Sequence, residues 1–172
     1  MECVSRHSPV SLTWILKNRI FELTRQNDND YGGRYMAEYY VIEEPKQAPQ
    51  DIKLKDTLRR AAWLDDDVVK GAPYFDAAWV VKDIPRGPEK HLHHHEFDEY
   101  LGFMGSDGYN PMDMGGCEAV VQVGDDEITI KKTSLIFIPA GVKHGILSMT
   151  NITKPVLCYS GGPNAAYVAV QH

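Results

Sequence analysis

From Pro73 onward the chain runs as short apolar segments separated by turn residues, and this pattern most restricts what it can fold into. Residues 77–81, 100–104, 119–123, 127–130, 135–138, 145–149, 156–159 and 167–170 are mostly branched, aromatic or small apolar, which suits a pleated, half-buried strand. Gly105-Ser106-Asp107-Gly108, Asn110-Pro111, Gly115-Gly116, Gly124-Asp125 and Pro139-Ala140-Gly141 lie between them. Many short strands with such turns predict an all-β sandwich or barrel. No segment of helical length interrupts them, which disfavours a parallel βαβ sheet.

Before Pro73 the signals are mixed. Residues 34–42 hold Tyr35, Tyr39, Tyr40, Val41 and Ile42, an aromatic-rich strand pattern. Glu43-Glu44-Pro45 and Ala48-Pro49 mark a loop, because proline lacks an amide donor and restrains its neighbour. Leu54, Leu58, Ala61 and Ala62 recur at helical spacing and predict a short helix over 52–64. Asp65-Asp66-Asp67 then reads as a solvated helix-end turn in preference to an acidic metal site. With 172 residues, a single domain is expected: an N-terminal elaboration over 1–73 and a barrel core over 74–172.

Charge narrows the partners. Against 24 Asp+Glu stand 18 scattered Lys+Arg, a net charge of −6, so the basic footprint of a nucleic-acid binder is missing. No apolar run approaches the ~20 residues of a membrane span. Residues 1–11 are polar and only the short run 12–16 follows, unlike a secretory signal. The three cysteines, Cys3, Cys117 and Cys158, show neither CxxC nor zinc spacing. A reducing, cytoplasmic setting is therefore expected, with Cys117 and Cys158 as small buried apolar residues.

Chemistry concentrates in His91-Leu92-His93-His94-His95-Glu96-Phe97-Asp98-Glu99, which holds four of the seven histidines. Alternate residues of a strand share a face, so His93 and His95 project together and can chelate one cation. Glu99 shares their parity if the strand continues, whereas a bulge over 96–98 would leave its direction open. A third imidazole has to come from elsewhere. His144 is the candidate, because Pro139-Ala140-Gly141-Val142-Lys143 turns the chain just before it. Three imidazoles and a carboxylate suit a divalent transition ion such as iron, manganese, nickel, zinc or copper. His91 competes on parity but lies farther from Glu99, and His94 faces the other way. The plainer reading is a hydrophilic tract that binds metal adventitiously.

These residues resemble the cupin superfamily. Its first motif is met by Gly87, His93, His95, Glu99 and Gly105, and its second by Pro139, Gly141 and His144. Thr133 stands where the second motif usually opens with glycine, and Ser148 where it usually closes with asparagine; neither is a metal ligand. The strings around Trp63–Ala72, Phe97–Gly105 and Asp113–Gly116 are further similar to a group of bacterial and fungal cupin-domain proteins. The resemblance implies a double-stranded β-helix, or jelly-roll barrel, with one divalent metal ion (iron, manganese, nickel or zinc) on His93, His95, Glu99 and His144. It also implies pairing into a homodimer.

The expected function is a metal-dependent enzyme of dioxygenase, isomerase or lyase type, acting on a small polar molecule in the barrel. The alternative is a non-catalytic module that binds or senses a small ligand. Asp98 reads as pointing to solvent, with a place as acceptor for a ligating imidazole's second N–H as the alternative. Trp79, Tyr100, Phe103 and Phe137 are candidates for the pocket wall or for plain core, and Arg86 and Lys143 for a substrate carboxylate or a solvated rim.

Overall fold

The structure, a computed structural model, describes residues 14–16, 19–21, 24–25, 39–47, 51, 54–87, 92–164 and 170–171. The chain separates into two compact units, residues 1–44 and 45–172. In the first, β1 (Trp14–Leu16) pairs antiparallel with β2 (Arg19–Phe21), and β3 (Thr24–Arg25) with β4 (Tyr40–Val41). Most of the strand expected over 34–42 lies outside the described residues.

The second unit holds β5 (Leu58–Leu64), β6 (Tyr74–Val80), β7 (His93–His94), β8 (Glu99–Gly105), β9 (Glu118–Val123), β10 (Asp126–Ile130), β11 (Ser134–Ile138), β12 (His144–Thr150), β13 (Val156–Gly162) and β14 (Val170–Gln171). They form two five-stranded antiparallel sheets, in the orders β10-β9-β12-β7-β14 and β11-β8-β13-β6-β5. Seven of the eight segments expected as strands are therefore strands. Of the eighth, 167–170, only Val170 is described.

One long hairpin generates this order. Gly124-Asp125 closes β9 onto β10, with Gly124 at φ 60°, a left-handed conformation that glycine adopts freely and a two-residue hairpin loop requires. The strands on either side then pair outward in succession: β8 with β11, β7 with β12, and β6 with β13. The doubled chain switches sheet at nearly every step, which makes a jelly roll. Hence residues near 93 and 144, distant in sequence, are direct neighbours. The inner faces of both sheets bury Val80, Leu101, Phe103, Ala119, Val121, Ile138, Met149 and Val156 as one core.

The helix expected over 52–64 is not formed where the chain is described. Residues 54–57 turn, and 58–64 are strand β5, the outer member of the second sheet. Leu58, Ala61 and Ala62 fit a helical stripe, but alternation is what the sheet uses: β5 is half-buried and exposed by turns up to Ala62. A β-bulge between Arg60 and Ala62 then shifts the register, and this break hid the period of two. Asp65-Asp66-Asp67 accordingly ends a strand. Asp65 is buried and accepts from Trp63 Nε1 (2.7 Å), Lys46 Nζ (2.6 Å) and the Asp67 and Val68 amides. Its role is structural.

Candidate metal centre

His93, His95, Glu99 and His144 converge between the two sheets, and their ligand atoms all lie within 4.8 Å of one another. His93 on β7 is the direct register partner of His144 on β12, so their rings share a face with centroids 4.5 Å apart. The strand stops at His94. The chain bends at Glu96 and Phe97 and restarts at Glu99 in the opposite sheet. His95 sits at this crossing, its ring stacked on Phe97 at 4.7 Å. Glu99 thus joins the histidines by crossing the barrel, and strand parity plays no part.

Backbone contacts lock the two motifs together. The Gly141 amide donates to the His95 carbonyl (2.8 Å), and the Ala140 amide donates to Asp98 Oδ1 (2.9 Å). Gly141 has φ 79°, so the turn needs a residue without a Cβ. Asp98 is exposed, as expected, and fastens the turn there. His94 faces away, its Nε2 3.4 Å from Glu96, and is outside the cluster. His91 lies outside the described residues.

His144 Nδ1 lies 2.8 Å from the Val142 carbonyl. A carbonyl only accepts, so Nδ1 carries the proton and Nε2 presents a lone pair. That Nε2 is buried and makes no hydrogen bond, although Glu99 Oε2 is 2.8 Å away. Two acceptors that close, in a buried site, require a cation between them or a shared proton. Around one ion at ~2.1 Å, ligand atoms stand at most ~4.2 Å apart, so shifts of a few tenths of an ångström complete the set. The residues fit a divalent transition metal. Burial disfavours a charged Glu99, yet the flanking His144 and His95 outweigh it and hold the carboxyl down at about 2.

The cluster opens onto a cavity of about 330 Å³. His93, Glu99 and His144 line it, together with Arg60, Tyr74, Asp76, Cys158 and Ser160 and an apolar wall that includes Leu58, Val80, Leu101 and Met149. The β5 bulge brings Arg60 inward: Arg60 pairs with Ala78 and Trp63 with Asp76, so residues three apart face the same side. Arg60 grips Asp51 with Nε (3.2 Å) and Nη2 (2.7 Å), reaches Asp76 Oδ2 with Nη1 (3.2 Å), and lies 5.2 Å from the Trp63 ring centre. Tyr74 donates its hydroxyl to Asp76 Oδ2 (3.0 Å) and meets Ser160 Oγ at 2.7 Å. Burial pushes the Asp76 carboxyl up against the opposing pull of Arg60 and Tyr74, with the Glu99 charge adding to burial. Burial also raises the Cys158 thiol to about 12 and the Cys117 thiol to about 11, so neither is a nucleophile near neutrality.

Arg60, Tyr74, Asp76 and Ser160 were not singled out in the sequence. One usable signal existed: Asp76 is the lone charge inside the apolar run Tyr74-Phe75-Asp76-Ala77-Ala78-Trp79-Val80. Arg86 instead forms a surface fork with Glu127 (2.7 and 3.0 Å), and neither it nor Lys143 lines the cavity. Among the candidate aromatics, Phe103 is core, Phe137 is exposed, and Trp79 and Tyr100 are half-buried away from the cavity wall.

Two facing antiparallel sheets built from a wound hairpin, carrying the HxH…Glu crossing and the Pro-x-Gly-x-x-His turn, form a jelly-roll barrel that resembles the cupin type. No family model matches the chain, and no curated protein does. Among solved structures it is similar to a cupin protein from Bacteroides fragilis (12% identity, 60% of this chain and 77% of that one, TM-score 0.36). It is also similar to KdgF from Halomonas sp. (14%, 60% and 76%, TM-score 0.38). A third is oxalate decarboxylase from Lactobacillus farciminis (19%, 66% of this chain and 30% of that one, TM-score 0.39). Among the described residues, no helix is long and apolar enough to cross a membrane.

Proposed function

We propose that the protein is a metal-dependent enzyme whose substrate, a small polar organic molecule, enters the barrel cavity. His93, His95, Glu99 and His144 hold one divalent ion, with iron, manganese, nickel and zinc as the candidates. The observation that carries this reading is the bare, buried His144 Nε2 set 2.8 Å from Glu99 Oε2, at the wall of a cavity. A bound divalent ion supplies Lewis acidity or, if redox-active, oxygen activation. The chain's own residues do the rest. Val142 fixes the His144 tautomer, Phe97 orients His95, and the apolar wall excludes bulk water. Dioxygenase, isomerase and lyase chemistries all start from such a site, and the fold does not choose between them.

Untagged protein reconstituted with ferrous, manganous, nickel or zinc ions is expected to bind one metal per chain. His144→Ala is expected to weaken that binding by more than the roughly 10–100-fold lost when only a ligand's supporting partner is removed. Unchanged metal content in the variant would show that the 91–95 tract binds alone, and would sink the assignment. Oxygen uptake and product formation against small carboxylates and diketones test catalysis. A stoichiometric metal without turnover would favour the binding module.

A further inference from the structure

The cavity has a second polar centre on the wall formed by β5, β6 and β13, built around one carboxylate with one oxygen closed and the other open. Asp76 Oδ2 accepts the Tyr74 hydroxyl at 3.0 Å and forms an ion pair with the Arg60 guanidinium at 3.2 Å. Asp76 Oδ1 accepts no hydrogen bond from a side chain among the described residues. The side chain keeps 17% exposure and lines the cavity that His93, Glu99 and His144 also line. Its orientation is over-determined. Arg60 is itself clamped by Asp51 and held over Trp63, and Tyr74 is tied to Ser160. This fixed carboxylate lines the same cavity as the metal cluster.

We propose that Asp76 Oδ1 is the recognition point opposite the metal, accepting a hydrogen bond from a ligand hydroxyl. It rests on the metal reading above. The ligand class follows from the two ends of the cavity. One end takes oxygen lone pairs on a cation, and the other takes a hydroxyl donor. A small polyhydroxy acid satisfies both, whereas a simple carboxylate or a ligand without a second hydroxyl satisfies only the first.

The probes are lactate, glycerate and threonate, titrated into manganese-loaded protein and followed by water-proton relaxation. All three chelate through a carboxylate and a 2-hydroxyl, but only glycerate and threonate carry a further hydroxyl. Wild-type protein is expected to bind at least one of these two about tenfold more tightly than lactate, the effect of one hydrogen bond to a charged acceptor. In Asp76→Asn the amide oxygen must take the Oδ2 position, because Tyr74 and Arg60 both donate there. That leaves an N–H₂ donor where Oδ1 was. That donor can still meet the hydroxyl oxygen but only in a neutral bond, so the preference is expected to fall from about tenfold to about threefold or less while manganese affinity stays within about twofold. Capping the 3-hydroxyl, as in 3-O-methylglycerate, removes the donor from the ligand and should abolish the preference on wild-type protein, whatever the variant's folding. Manganese binding with lactate, glycerate and threonate held alike, or none held, overturns this inference and leaves the metal reading standing. Failure to bind any of manganese, ferrous, nickel and zinc ions overturns both.

Discussion

Glu99 is where burial and charge compete most directly. Its side chain is 4% exposed, yet its carboxyl is held at about 2 against an ordinary value of 4.5. A value lowered in the folded state means that ionisation favours folding. That stability is complete above about pH 4.5 and is lost as pH falls toward about 2. In metal-free protein, urea unfolding across this window is expected to fall about 1.4 kcal/mol per pH unit more steeply for wild type than for Glu99→Gln, the slope of one proton. Equal slopes would show that Glu99 is not tuned by its histidine neighbours. At this scale the cluster of His93, His95, Glu99 and His144 was legible, because imidazole pairs and a carboxylate are informative by type. Gly105 was legible by motif, and the structure explains it: a Cβ there would overlap the Asp113 carbonyl oxygen. Arg60 was illegible and Asp76 was marked only as a lone charge in an apolar run, since each acts through partners on other strands that no local spacing reveals.

Among the elements, β5 carries the main lesson. Strands after Pro73 announced themselves through branched residues and Gly or Pro turns. In β5, Ala61 and Ala62 carry no strand signal, and the bulge interrupts the alternation that would have replaced it. The same bulge is functional in geometry, since it lets Arg60 and Trp63 face the cavity side together. In Arg60→Leu the cation that the bulge turns inward is gone, and Asp51 and Asp76 stay as buried carboxylates without it. Such a loss costs about 3–5 kcal/mol, so chemical denaturation should show a drop of that order. Binding of manganese should survive in the folded fraction, because no ligand lies on β5 or β6. Unchanged stability in this variant would mean that the ion pairs the bulge permits add nothing to the fold.

For the whole molecule, the wound hairpin determines what a metal can do for stability. His93 and His144 belong to one sheet, Glu99 to the other, and His95 to the crossing between them. An ion on all four therefore ties the sheets together at one end of the barrel, and the tie exists only when the hairpin is wound. The pairing of β7 with β12 was not readable from either segment alone, because it follows from the turn at Gly124 and the outward order of pairing. Free metal at a hundredfold excess over its Kd adds about 2.7 kcal/mol to the folded state. For a domain of this size, that raises Tm by about 5–10 °C. The unfolded chain keeps the histidine tract and competes for metal, which reduces the gain. His144→Ala separates the two effects: it leaves the tract intact but breaks the tie between β7 and β12. Differential scanning calorimetry with and without manganese should show the rise in wild type and little or none in the variant. Equal rises in both would place the ion on the tract and not between the sheets.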